Sequence, residues 1–422
     1  MVGATAMRQV KLWVQGSEEG SAQIEYWRLD RPNETQRTKP QAMRDESDHI
    51  AQFVIGGLEP GQRYGYRVLM DGKVQMVPES LQFATQALWQ WRGDPPAWKL
   101  VFGSCNYGNE VAYDRPGRAY GGTAEMRRIF ASMAQQSPDL TLWGGDYLYF
   151  REPDEDSEFG LRYRWRKDRA MSEQQVLLRT GSHVSIWDDH EYGPNDSNAS
   201  YILKGSALEL FKRYWANPGY GLPETPGTFS NYRFNDAELF LLDNRYYRDS
   251  DKLQAEDKSK LGAAQFRWLQ NALLASVSPV KLIVLGSQVT NEVNRFEGWN
   301  RFPRERDAFL KFLQDHRIDG VILLTGDRHF TELLKTERPG SYPLYELTCS
   351  PLLSGVPANL DAERANKKIV DGTFVAERNF CTISFEGTRM DRKLTLRSHG
   401  VDGMVHWQKT IAVNELRAPP AK

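Results

Sequence analysis

The alternation of hydrophobic and polar positions changes rhythm near residue 90. From Val10 to about residue 85, short runs (VKLWVQ, AQIEYWRL, IAQFVI, RYGYRVLM) alternate apolar and polar residues, with GLEPGQ and MDGK between them. Period-two alternation punctuated by Gly, Pro and Asp-Gly predicts antiparallel strands joined by hairpins, and hence a small all-β sandwich. In QALWQWRGDPPAWK the rhythm breaks, because Pro95-Pro96 continue neither a helix nor a central strand. The expected division is a β-module over 1–90, a linker over 91–98 and a second domain over 99–422.

Beyond the linker, apolar runs of four to six residues alternate with amphipathic stretches such as SALELFKRYWAN, GAAQFRWLQNALLAS and RERDAFLKFLQDH, the pattern of an α/β domain. Four of its predicted strands end alike, in LVFGSC, LTLWGGD, LIVLGSQ and VILLTGD, where an apolar run meets Gly103, Gly145, Gly286 or Gly326 and then a polar side chain. Glycine permits close backbone approach, and ligands of open α/β sheets sit beyond the carboxyl ends of the strands. These ends are expected to face one site. The last part, from YPLYELTCS to MVHWQKTIAV, reads as β-rich.

Charge narrows the choice of function. Lys and Arg number 54 against 55 Asp and Glu in 422 residues, so no global field recruits nucleic acid or an anionic membrane. Three scattered cysteines exclude a disulfide scaffold or a CxxC zinc site and allow one disulfide at most. No run approaches the roughly 18 apolar residues that span a bilayer. MVGATAMRQVKLWVQG lacks the basic and apolar regions of a leader, so the chain reads as soluble.

Chemistry concentrates where predicted strands end. Alone, Cys105 reads as a buried small hydrophobe, Asp146 as a turn residue and Tyr149 as a packed aromatic. In LTGDRHF, alternation puts Asp327 and His329 on one face and Arg328 on the other. HVSIWDDHEYGPND crowds Asp188, Asp189, His190 and Glu191 behind an apolar run, although adjacent acids are costly to desolvate without a compensating cation. Histidine occurs seven times in the chain, so its presence at two such ends carries weight. Thiol, phenol, carboxylates and imidazole sorted to strand ends point to a metal centre. Glycine-then-acid ends plus an acid-His-acid signature are the general layout of two-metal phosphoesterases, where a carboxylate bridges cations about 3.5–4 Å apart.

The motifs FGSCN (102–106), GGDYLY (144–149), WDDHEYGPND (187–196), LLDNRYYR (241–248) and TGDRHF (325–330) resemble, in this order, those of the alkaline phosphatase D (PhoD-like) family of the calcineurin-like metallophosphoesterase superfamily. The resemblance covers roughly residues 98–350. It implies a four-layer α/β/β/α catalytic domain, preceded by a fibronectin III-like sandwich. It also implies that Cys105, Asp146, Tyr149, Asp189, Asn195, Asp327 and His329 bind metal and that His190 is catalytic. The superfamily's GH motif falls at LGSQ, where Ser287 and Gln288 replace histidine. A phenolate beside a thiolate suits Fe3+ and the oxygen-rich half suits Ca2+ or another divalent ion, an assignment led by the family. The mechanism expected has Asp146 bridging two cations, a metal-bound hydroxide attacking phosphorus and His190 serving the leaving oxygen, while Arg245 and Arg248 either hold phosphate oxygens or pair with the neighbouring Asp243 or Asp249.

The function expected is hydrolysis of small phosphate monoesters and diesters by an exported, periplasmic or extracellular enzyme. Its rivals are a phosphodiesterase or phospholipase D-type hydrolase on the same site, and a non-catalytic metal- or glycan-binding protein. Most of the twelve tryptophans fall in predicted strands and helices and read as core. Trp165, within the basic run Arg162–Arg169, is a candidate lid or a solvated helix face.

Overall fold

The computed structural model describes residues 1–108, 110–114 and 121–419. Two sheets face each other in the main body. The first has nine strands in the order Val405–Ala412, Lys393–Gly400, Asn379–Glu386, Trp98–Gly103, Leu140–Gly144, Ser182–Ile186, Val2–Thr5, Gln9–Gln15 and Ile50–Gly56. The second has six, in the order Ser230–Phe234, Ala237–Leu241, Val280–Leu285, Val321–Thr325, Leu344–Thr348 and Glu332–Thr336.

Side-chain alternation builds the layers. Leu100, Phe102, Leu142, Val184 and Ile186 enter the core shared with the second sheet, whereas Val101, Trp143 and Trp187 face the opposite way, into a core with Phe130, Leu161 and Phe211 from the helices. The helices Ala263–Ala275 and Pro303–Asp315 cover the other sheet through Leu269, Leu273, Phe309 and Leu313. The result is the four-layer α/β/β/α arrangement expected, with parallel central strands in each sheet. A disulfide between Cys349, just past a strand of the second sheet, and Cys381, within a strand of the first, ties the two sheets together.

The N-terminal segment is a β-sandwich around Val10, Leu12, Ile24, Phe53, Tyr64 and Phe83. One of its sheets is not separate. Val2 pairs in parallel with Ser182, so the strands Val2–Thr5, Gln9–Gln15 and Ile50–Gly56 continue the nine-stranded sheet. Trp13 Nε1 donates to Arg213 O at 2.9 Å, Lys11 Nζ to Asn217 O at 2.6 Å and Gln86 Nε2 to Arg233 O at 2.9 Å. A division into 1–90 and 99–422 is therefore proposed on pattern alone, because hydrogen bonding crosses it.

The basic run at Trp165 has one solvated face, with Tyr163, Arg166 and Lys167 partly exposed, and one buried face, with Arg164, Trp165 and Arg169. It lies in the helix Glu158–Arg169, whose Trp165 is buried. Buried Arg169 stacks on Trp215 at 4.3 Å and Tyr147 at 4.6 Å, so its charge sits on aromatic faces rather than in water.

Because the first sheet spans both segments, calorimetry of the whole chain should show one cooperative transition, and a chain starting at residue 91 should aggregate through the uncovered edge Ser182–Ile186. Two separate calorimetric peaks would contradict this.

Candidate metal centre

The carboxyl ends of the central strands converge because their glycines let the two sheets approach. A Cβ on Gly286 would lie 2.4 Å from Asp188 Cγ, and one on Gly326 would lie 2.5 Å from Ser104 Oγ. Gly326 N donates to Gly286 O at 2.9 Å. Glycine at these ends serves contact between strand ends before any ligand arrives.

The residues that follow turn sharply inward. Cys105, Asp146, Asp327 and His329 have φ of 58°, 54°, 68° and 56°, a left-handed conformation costing non-glycine residues about 1–2 kcal/mol each. Strain of this kind concentrated in one place marks a site whose geometry the surroundings enforce. Asp189 and His190 open the short helix Asp189–Tyr192.

Six of the predicted residues meet or border one another. Tyr149 Oη donates to Asp146 Oδ2 at 3.1 Å, Cys105 Sγ lies 3.5 Å from the same oxygen, and His329 Nε2 lies 3.4 Å from Tyr149 Oη. Asp146, Asp189 and His190 place ligand atoms within 4.8 Å of one another. The rings of Tyr149 and His190 are 3.9 Å apart. Asn195 is exposed at the rim of the cavity above, while its neighbour Asp196 groups with Asp189 and Glu297. Asp327 is half-buried at the strand end beside His329.

The donor set fits a cation. Asp146 Oδ1, Asp327 Oδ2 and His190 Nδ1 are buried without a hydrogen-bond partner, a costly state that a coordinated ion relieves. His329 Nδ1 donates to Gly355 O at 2.8 Å, which leaves the Nε2 lone pair toward Tyr149; such a carbonyl partner fixes the tautomer of a ligating histidine. Burial holds His329 down to about 4, so it is neutral at pH 7. Burial, reinforced by Asp189 and Asp188, lifts Asp146 well above the usual carboxylate range. Burial lifts Asp327 likewise, against the opposing Arg328. The Cys105 thiol and Tyr149 phenol are pushed up by burial and then by Asp146. Positive charge at this point would reverse all four shifts.

Glu191 is the brace. Its carboxylate accepts from the backbone N–H groups of Asp146 at 2.9 Å, Asp188 at 3.0 Å and Tyr147, locking the loop that carries Asp146 and Tyr149 to the helix that carries His190. Asp188 is held from the other side. It accepts from Asn244 Nδ2 at 2.7 Å and Arg245 Nε at 2.5 Å.

Arg245 is therefore corrected. It is fully buried and spends its guanidinium on Asp188, on Glu297 at 2.6 and 2.7 Å, and on Asp189 at 3.3 Å, so it positions carboxylates and does not face the cavity. Arg248 is equally sequestered, by Asp251 and Glu297. Gln288 turns away to Glu332 and Thr348, while the Ser287 hydroxyl is buried and unpartnered. Arg328 pairs with Glu363 at 3.0 Å; the strand ends at Thr325, and Asp327 and His329 are left-handed, so the strand alternation expected over this stretch does not apply. Ser354, whose hydroxyl donates to Tyr149 Oη at 3.0 Å, was not legible beforehand; it lies 205 residues from Tyr149 and carries no motif.

Above this cluster opens a cavity of about 470 Å3, lined by Tyr149, His190, His329, Arg151, Glu155 and Val356 among others. Residues 223–391 match the PhoD-like phosphatase family. Alkaline phosphatase D of Bacillus subtilis strain 168 is 24% identical over 332 residues, 67% of this chain and 53% of the relative. The chain thus spans about half the length of the curated relative it matches. A solved structure of PhoD superposes with a TM-score of 0.78 at 17% identity, covering 97% of this chain and 88% of that one. A purple acid phosphatase from yellow lupin (Lupinus luteus) seeds follows at 0.70 and 10%, covering 100% and 76%. At these identities the two structures establish the fold. The PhoD-like match takes in Arg245, Asp327 and His329, while Cys105, Asp146, Tyr149 and His190 lie before it.

Two outcomes follow. Arg245→Met strands Asp188 and Glu297 without their shared cation and should cost about 3–5 kcal/mol in chemical denaturation. A metal-stripped protein should lose stability as pH rises from about 4, because Asp146 and Asp327 hold protons more tightly folded than unfolded; urea midpoints measured between pH 5 and 9 should fall without metal and hold when metal is bound.

Proposed function

We propose that this chain is a metal-dependent phosphoric ester hydrolase acting on phosphate monoesters and diesters. The observation that carries the reading is the convergence of Cys105, Asp146, Tyr149, Asp189, His190 and His329, with orphaned buried ligand atoms, in one cluster whose Tyr149, His190 and His329 line a cavity. Cys105, Asp146, Tyr149 and His329 would hold Fe3+, since thiolate and phenolate favour a strong Lewis acid. Asp189 and Asp327, with Asn195 at the rim, would serve Ca2+ or another hard divalent ion. When bound, the cations supply positive charge for the phosphoryl oxygens and for activating water.

The chain's own residues do the rest. Asp146, central to the cluster, is placed to serve both cations. Burial keeps the His190 imidazole below its ordinary pKa, so at neutral pH it offers one N–H and one lone pair. Stacked on Tyr149 and bordering the cavity, it is positioned to donate to the leaving oxygen. Phe150, Pro194, Val356 and Pro357 line the walls and limit the water around the reacting group. The cavity leaves room for a second ester substituent, which favours including diesters.

A site beyond the cytosol is part of the proposal. Its support is the Cys349–Cys381 disulfide, a bond that persists in oxidising compartments. Among the described residues no helix is long and apolar enough to cross a membrane.

Loaded with iron and calcium, the protein should hydrolyse a chromogenic phosphate ester, and His190→Ala should lower kcat by about 10²–10⁴-fold with metal content intact. Tyr149→Phe should abolish a visible phenolate-to-iron band. Full activity in His190→Ala, or a colourless active zinc protein, would overturn the mechanism or the metal assignment respectively.

A further inference from the structure

With Arg245 buried among carboxylates, another cation is needed to meet a phosphoryl group beside the metals. We infer that Arg151 takes this role and holds the phosphoryl oxygens of the substrate above the ligand cluster, an inference that rests on the hydrolase reading. Among the described residues lining the cavity, Arg151 is the one lysine or arginine. Its guanidinium lies 5.4 Å over the Tyr107 ring, and Tyr107 packs edge-on against Tyr149 at 4.6 Å. One ring thus separates the charge from a candidate metal ligand.

The two arginines differ in how far they are spent. Arg245 makes contacts of 2.5–2.7 Å to Asp188 and Glu297, whereas the carboxylates nearest Arg151 stand off, Asp114 at 3.7 Å from Nε and Glu152 at 3.4 Å. Charge-assisted bonds of full strength run at about 2.7–2.9 Å, so these pairs hold Arg151 in place without consuming its donors. Its Nε is buried and makes no hydrogen bond. The side chain is 12% exposed, shielded from bulk solvent and still open to the cavity. A planar fork in that setting suits two oxygens of a tetrahedral phosphate, and stacking on Tyr107 limits the freedom lost on binding. Glu152 and Glu155 line the same cavity, so the group that Arg151 meets must bring its own negative charge to compete with them.

The test compares Arg151→Gln and Arg151→Lys with the metal-loaded full chain, using inorganic phosphate as probe. Calorimetric binding of phosphate and its competitive inhibition should weaken roughly 10- to 100-fold in Arg151→Gln, with KM for the chromogenic ester rising in parallel. Arg151→Lys should recover part of the loss, since it restores charge but not the fork. Metal content and the Tyr149 absorption band should stay unchanged, which a purely structural role on Tyr107 would not allow. Phosphate affinity unchanged in Arg151→Gln overturns the assignment, as does wild-type protein that binds no phosphate. Should the Gln variant fail to fold, the Lys variant decides by the same readouts. Wild-type protein that binds phosphate through Arg151 yet turns over no ester would sink the hydrolase reading and leave this one standing.

Discussion

The organising constraint is a concentration of acids where two sheets meet. Asp146, Asp188, Asp189, Glu191 and Glu297 are buried, and Asp327 half-buried, at or beside the carboxyl ends of the central strands. Solvating them in protein requires cations or hydrogen-bond donors close by. The fold answers in three ways. Arg245 and Arg248 compensate Asp188 and Glu297, and Lys260 Nζ donates to the main-chain oxygen of Glu297. Three backbone N–H groups satisfy Glu191. Among the described residues no ion pair is formed with Asp146 or Asp327 by a lysine or arginine, and that remaining deficit is where a cation fits.

Much of the local architecture follows from keeping that deficit small in space. Glycines at strand ends bring the sheets within contact, and left-handed turns at Cys105, Asp146, Asp327 and His329 aim short side chains at one volume. The disulfide and the inter-sheet apolar core resist the separation that crowded acids would otherwise drive. A rigid, strained frame holds ligands near their working geometry before any ion binds, which lowers the ordering cost of binding.

Division of labour among the arginines is the other consequence. A guanidinium fully surrounded by carboxylates contributes position, and one held loosely at a cavity wall contributes recognition. In LLDNRYYR and YFREPDED the two look alike, since each arginine has acids nearby in the chain. What separates them is how closely distant partners approach: Glu297 reaches Arg245 across 52 residues of sequence at 2.7 Å, whereas Asp114 stands 3.7 Å from Arg151.

The sequence by itself determined the strands and helices and pointed to most of the candidate site, while the layer order came with the family resemblance. Strand and helix periods predicted the elements, because burying one face imposes a repeat of two or 3.6 regardless of partner. The glycine-terminated strands located Cys105, Asp146, Tyr149, Asp327 and His329, because backbone crowding at strand ends must be written in residue type. Tertiary structure alone decided the rest. It carried the N-terminal strands into the main sheet through a single parallel pairing, since edge pairing depends on backbone placement and leaves no side-chain signature. It set Asn195 at the rim, buried Arg245 and Trp165, and brought Ser354 to Tyr149, because burial and long-range partners belong to the packed chain and not to any local window of it.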